Sequence, residues 1–265
     1  MVIDMSAITE CRSCGTSDLI SILSLGNQYP SNFVDDDFSP NEKDKIPLEL
    51  VFCRKKECGL LQLKHTASRE SLYKQYWFRS GLNETMRKAL QDITEGIEKR
   101  ISLSESDIVL DIGCNDGTLL RSYKSKVKLV GFEPASNLIH EAEEGTDLII
   151  NNFFSFFEFA QHFLGERIKV ITSIAMFYDL EDPNSFVTDI VNCLDQSGIW
   201  VIQMAYLIPM LEQNAFDNIV HEHLQYYSLK SLKNLLESHG LEIFDVELND
   251  VYGGSFRVFV KNKKN

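Results

Sequence analysis

Three sets of side chains in this 265-residue sequence have the types and spacings that chemistry needs. The first is Cys11-x-x-Cys14 with Cys53-x4-Cys58, two short pairs that can each close a turn around one ion. Four thiolates complete a tetrahedron with no open position. The ion expected at Cys11, Cys14, Cys53 and Cys58 is therefore a structural zinc, which supplies folding energy and no catalysis. Reduced core cysteines and a redox pair are the other readings of this spacing. Cys114 and Cys193 stand apart and read as packing residues.

The second set is Val109-Leu110-Asp111-Ile112-Gly113-Cys114-Asn115-Asp116-Gly117, a strand followed by a glycine turn. Gly113 and Gly117 let a ligand approach the backbone at the carboxyl end of the strand, where open α/β sheets bind their ligands. Glu133 lies twenty residues past Gly113, at the end of the next strand, where a carboxylate can accept both ribose hydroxyls of a nucleoside. The three close glycines that seat a pyrophosphate are missing, and Asp111 and Asp116 would repel one. Two carboxylates suit a ligand with an ammonium and a sulfonium, which S-adenosylmethionine supplies. Asn115 shares the loop, and Ser80 offers a hydroxyl from the segment before it. Asn152, beyond the third strand, is a candidate for the adenine edge or a plain surface residue. A tight turn that binds nothing is the alternative for the whole motif.

The third set is His221-Glu222-His223. Histidine is a base near neutral pH, and a neighbouring carboxylate can orient it and stabilise its cation. A structural hydrogen-bonded cluster and a two-histidine metal site are the alternatives, although the spacing is not that of the helical His-Glu-x-x-His motif. In Tyr73-Lys74-Gln75-Tyr76-Trp77-Phe78-Arg79-Ser80-Gly81, Tyr76 and Ser80 offer hydroxyls and Arg79 a charge for an anionic group, and packing explains the aromatics equally well.

Elements must hold these residues in place. Four of the six cysteines fall in the first 58 residues, among short apolar runs with too little surface for an independent core. Met86, Leu90, Ile93 and Ile97 then fall on one helical face. From Ile108 onward, strand-like and helix-like segments alternate. Strands are expected at Ile108–Ile112, Val127–Phe132, Leu148–Asn151, Val170–Ala175 and Ile199–Met204. Helices are expected at Leu119–Tyr123, Ala135–Glu144, Ser155–Leu164, Pro183–Leu194 and Leu229–Ser238. Repeated βα units with continuous apolar strands predict a mainly parallel sheet covered on both faces. The closing pair, Leu241–Leu248 and Ser255–Val260, predicts an antiparallel last strand. The expected division is a zinc-binding module over 1–66, a linker and helix covering the active site over 67–103, and a cofactor-binding domain over 104–265.

Lys and Arg total 26 against 39 Asp and Glu, a net charge of -13, which argues against a nucleic-acid partner. No apolar run approaches the roughly 18 residues of a membrane span, and no basic start precedes an apolar segment. A cytosolic protein with reduced cysteines is expected.

The ordered set Cys11-Arg12-Ser13-Cys14-Gly15, Cys58-Gly59-Leu60-Leu61-Gln62-Leu63, Tyr76 to Ser80, Asp111-Ile112-Gly113-Cys114-Asn115-Asp116-Gly117, His221-Glu222-His223-Leu224 and Gly253-Gly254-Ser255-Phe256-Arg257 resembles the sugar C-methyltransferases. These enzymes methylate carbon 3 of a nucleotide-linked 4-ketohexose, and the resemblance covers essentially the whole chain. It implies a class I methyltransferase sheet with a small N-terminal zinc module. It also implies zinc on the four cysteines and Asp111, Gly113 and Glu133 in the S-adenosylmethionine pocket. Glu222 and His223 would lie at the reacting carbon, with His223 as the base. The family's histidine after the fourth strand is replaced by Asp179, and its tyrosine before His-Glu-His by Val220. Tyr76 or Asp179 is expected to hydrogen-bond the enolate oxygen. Family chains continue past the Gly-Gly-Ser-x-Arg segment into another α/β domain that helps hold the nucleotide sugar, whereas this sequence ends at Asn265. That domain could come from a partner, and a homo-oligomer is a further expectation. The rival functions are O- or N-methylation of another small metabolite, and a cofactor-binding subunit that needs a partner.

Overall fold

Runs of Val, Ile and Leu long enough to bury both faces of a strand form the centre of the molecule. The computed structural model describes residues 5–30 and 41–263. The N-terminal part contains β1 (Met5–Ala7), β2 (Leu19–Gln28), β3 (Ile46–Cys53), β4 (Leu61–Leu63) and β5 (His65–Ala67). Helices α1 (Arg69–Tyr73) and α2 (Glu84–Glu98) follow. Then come β6 (Ile108–Ile112), β7 (Lys128–Phe132), α3 (Ile139–Glu143), β8 (Leu148–Ile150), α4 (Phe156–His162), β9 (Ile168–Ile174) and α5 (Pro183–Cys193). The chain ends with β10 (Leu194–Ala205), α6 (Leu207–Glu212), β11 (Gln225–Tyr226), α7 (Leu229–Ser238), β12 (Leu241–Asn249) and β13 (Ser255–Asn262).

The large sheet runs β12-β13-β10-β9-β6-β7-β8. Strands β6 to β10 are parallel, and β13 enters antiparallel between β10 and β12. The expected class is therefore the observed one. With β7 on one side of β6 and β9 on the other, the strand order reverses at β6, which opens a crevice at its carboxyl end. Trp200, Phe132, Phe177 and Phe256 are wholly or almost wholly buried in the core. Gly131 is required in β7, because a Cβ there would lie 2.6 Å from the Cys114 sulfur. Among the described residues no helix is long and apolar enough to cross a membrane.

Two predicted helices are much shorter than their periodicity implies. Only one 3-10 turn, Leu120–Ser122, forms within Leu119–Tyr123. The Glu98 carboxylate accepts the Lys124 and Ser125 amides and draws the chain away. The helix expected from Ala135 begins at Ile139, because Glu133 takes the Ala135 amide and the Lys74 carbonyl takes that of Ser136.

The second sheet, β11-β4-β3-β2, borrows β11 from the far half of the chain. Leu48, Leu50, Leu61 and Leu63 share a cluster with Leu207, Met210, Ile219, Leu224 and Tyr226. The module is thus held by long-range burial as well as by its cysteines, a source of stability that local composition could not reveal.

Arg257 on β13 is 3% exposed; its guanidinium donates to Gln203, Glu247 and Asp92 at 2.8 to 2.9 Å. Arg257→Ala leaves a void in the core and takes one of two donors from the buried Gln203 carboxamide, and should lower unfolding stability by about 2 kcal/mol in urea titration.

Candidate active site

A cavity of about 1320 Å³ opens over the carboxyl ends of β6, β7 and β9. A pocket for one small molecule rarely exceeds roughly 1000 Å³, so a nucleoside and an acceptor fit side by side. Gly113, Asn115, Glu133, Asn152, Ser80, Tyr76, Asp179 and His223 all line it.

The nucleoside end is shaped by one loop. Asn115 takes a left-handed backbone (φ 53°), which turns its N–H to the Glu133 carboxylate at 2.8 Å. The other Glu133 oxygen accepts the Ala135 N–H at 2.8 Å. Each oxygen keeps a lone pair for a ribose hydroxyl, and burial raises the Glu133 pKa. Asn115 Oδ1 accepts the Ser80 amide, and its Nδ2 donates to the Phe78 carbonyl, both at 2.9 Å. The segment carrying Tyr76, Phe78 and Ser80 is thereby tied across the loop, with Asp116 accepting the Gly81 amide.

Several expectations change here. Asp111 and Gly117 do not line the cavity. Asp111 sits within the sheet, accepting the Thr172 hydroxyl at 2.6 Å, and burial pushes its pKa up to about 7. Gly117 turns away from the cavity, and a Cβ on it would meet Arg121 and Ala142. The negative character assigned to Asp111 and Asp116 comes instead from Glu70, Glu133, Glu158, Glu181, Asp182, Asp189 and Asp217, against Arg69 as the lining arginine. Arg79, expected to meet an anion, is outside the cavity and paired with Glu141 at 2.9 Å.

At the other end, His223 Nδ1 lies 3.0 Å from the Asn218 carbonyl. A carbonyl only accepts, so Nδ1 carries the proton and Nε2 keeps a free lone pair. Burial lowers the His223 pKa, and its ring packs edge-on against Tyr178 at 4.4 Å. The expectation that Glu222 orients His223 is corrected: the Asn218 carbonyl does so, and Glu222 is not on the cavity wall. His221 faces elsewhere, 3.1 Å from the Ile46 carbonyl, so the two histidines do not converge on a metal. Asn218, Tyr73 and Arg69, which stacks on Phe153 at 4.4 Å, belong to the site but carry no recognisable motif.

The four cysteine sulfurs lie within 4.8 Å of one another, with Cys11 to Cys58 at 3.8 Å and Cys14 to Cys53 at 3.6 Å. Thiolates about 2.3 Å from a tetrahedral zinc stand roughly 3.8 Å apart, so the set fits the ion. Gly15 and Gly59, both at positive φ, complete the two turns.

A family model described as "Methyltransferase domain" matches residues 82–246, and one described as "Putative zinc binding domain" matches 11–73. The C-methyltransferase NovU of Streptomyces niveus is 30% identical over 262 residues, covering 95% of this chain. The chain spans 60% of that protein's length. The magnesium protoporphyrin IX methyltransferase of Synechocystis PCC 6803 aligns with TM-score 0.51 at 11% identity, over 71% of this chain and 90% of that one. An S-adenosylmethionine-dependent methyltransferase from Clostridium acetobutylicum ATCC 824 aligns with TM-score 0.50 at 13% identity, over 67% and 92%. At such identities these two structures show the shared fold. S-adenosylmethionine and zinc are the cofactors, the first suited to the Glu133 end of the cavity and the second to the four thiols.

Two predictions follow the geometry. Asp111 binds a proton up to about pH 7 when folded but only to about pH 4 when unfolded, so the ligand-free protein should lose a few kcal/mol of stability as pH rises through that interval. Asp111→Asn should flatten that slope in urea titrations at pH 5 and 8. Cys53→Ser should abolish stoichiometric zinc in elemental analysis and lower the melting temperature by about 10 °C or more.

Proposed function

We propose that this chain, which belongs to the methyltransferase-domain family, makes a carbon–carbon bond, moving a methyl group from S-adenosylmethionine to the carbon beside the ketone of a nucleotide-linked sugar. The observation that carries the reading is His223, a neutral imidazole whose proton is fixed on Nδ1 by the Asn218 carbonyl and whose side chain lines the same cavity as Glu133. The 30% identity to a C-methyltransferase supports carbon as the acceptor atom.

A ketone acidifies the neighbouring C–H, and His223 Nε2 removes that proton. Burial keeps the imidazole unprotonated at neutral pH, and the fixed tautomer leaves Nε2 as the accepting atom. Glu133 holds the nucleoside through its ribose, and Asn115, Ser80 and Asn152 complete that end. Bound S-adenosylmethionine supplies an electrophilic methyl group on a positively charged sulfur. The aromatic walls formed by Tyr73, Tyr76, Phe78 and Tyr178 exclude water and confine both partners. Zinc has no part in the chemistry and holds the module against the site.

Among the described residues Arg69 is the arginine that lines the cavity, and it is the group offered to the diphosphate of a nucleotide sugar. We assign the reaction to the cytosol, where six cysteines outside any disulfide stay reduced.

His223→Asn, incubated in deuterium oxide with a nucleoside-diphosphate 4-keto-6-deoxyhexose, should slow exchange beside the ketone by about 100-fold or more while leaving S-adenosylhomocysteine affinity in calorimetry intact. Exchange at the unmodified rate would remove His223 from the role of base.

A further inference from the structure

We propose that Asp179 works as a neutral carboxylic acid whose O–H hydrogen-bonds the enolate oxygen; this rests on the carbon-methylation reading above.

The carboxyl is held with little freedom. Ala175, at the end of β9, takes a left-handed backbone (φ 53°), a conformation a non-glycine residue adopts only when its surroundings impose it. The chain then turns through Phe177–Asp179, anchored by the buried Phe177 and Tyr178 and closed by the Asp179 amide on the Met176 carbonyl at 3.1 Å. Asp179 reaches the cavity wall, where its Oδ1 is shielded from water and has no hydrogen-bond partner. A buried polar atom without a partner is costly unless a ligand completes it.

The groups facing Asp179 decide its charge. Glu222, from the segment entering β11, raises its pKa and the Tyr73 hydroxyl from α1 works against that rise, while Tyr76, Tyr178 and Tyr226 stand near enough to feel its charge. None of these is a cation. Two carboxyls taken from water without a counter-ion cannot both ionise, and burial together with the Glu222 charge raises the Asp179 pKa well above the usual range. Burial raises that of Glu222 as well. A neutral acid kept for hydrogen-bond donation in an apolar site is a known device for enolates.

In the step itself, His223 takes the proton from the carbon beside the ketone. The C–H pair becomes a C=C bond, and the carbonyl π pair moves to oxygen, where the Asp179 O–H donates to it. The carbon then attacks the methyl group; the S–CH3 pair stays on sulfur, S-adenosylhomocysteine leaves, and the ketone re-forms. Asp179 keeps its proton throughout, and His223 releases the one it took.

The test compares Asp179→Asn with Asp179→Ala on a nucleoside-diphosphate 4-keto-6-deoxyhexose, with calorimetric binding of S-adenosylhomocysteine reporting that each variant is folded. Asparagine keeps a neutral donor, so D179N should retain methylation and exchange beside the ketone to within about tenfold, whereas D179A should lose about 100-fold or more. Wild-type activity should decline as pH rises through the raised Asp179 pKa, because the neutral form is the active one; D179N should lack that decline. At neutral pH, the infrared difference between wild type and D179N should contain a protonated-carboxyl band. An absent band, or D179N falling as far as D179A, overturns the proposal. A product methylated on oxygen or nitrogen while the band persists would instead refute carbon methylation and with it the enolate role, so the two failures are distinguishable.

Discussion

Gln225 and Tyr226 pair with Gln62 and Leu61, and the Leu63 amide donates to the Leu224 carbonyl at 2.9 Å. These few bonds join the cysteine-bearing sheet to the segment that carries His223. Gln225, 1% exposed, accepts the Tyr227 hydroxyl at 2.6 Å and donates from its amide to the Leu180 carbonyl, next to Asp179. The proposed base and the proposed acid are therefore suspended from one buried strand, and that strand is paired into the sheet whose β3 ends at Cys53. A buried polar side chain that loses such partners forfeits their hydrogen bonds without gaining water, so the arrangement resists displacement.

The same strand explains why the N-terminal module is more than an appendage. Arg12, beside Cys11, donates to the Leu63 carbonyl at 2.5 Å and to Thr66 at 2.7 Å, while Asn184 at the start of α5 donates to the Arg12 and Ser13 carbonyls. Cys11, Cys53 and Cys58 lie in the same apolar cluster as Phe177, Trp200 and Tyr227, beneath the cavity floor. The cysteines, the core and the segment that carries His223 are thus parts of one packed structure.

Electrostatics divide the cavity in a complementary way. The lining is rich in carboxylates, which favours a cationic sulfonium nucleoside over a dinucleotide, while the buried groups at the reacting end are pushed toward their neutral forms. Burial lowers the His223 pKa and is the first cause of the raised Asp179 pKa, because charge is poorly solvated there. A neutral base and a neutral acid can coexist in one pocket at the same pH.

Local pattern was enough to find the parallel sheet with its antiparallel closing strand, the clustered cysteines, and the loop over β6 that places Gly113 beside Glu133 on a cavity wall. These follow from apolar periodicity, turn chemistry and ligand spacing, which act over a few residues. Tertiary structure alone decided that Asp111 is sealed inside the sheet, that Gly117 and Arg79 face away from the cavity, and that the Asn218 carbonyl, in place of Glu222, fixes the His223 tautomer. It also decided that residues 225 and 226 complete a sheet begun at residue 19. Each of these depends on which atoms are brought together from distant parts of the chain and on how much water remains between them, and neither quantity is written in the spacing of residues.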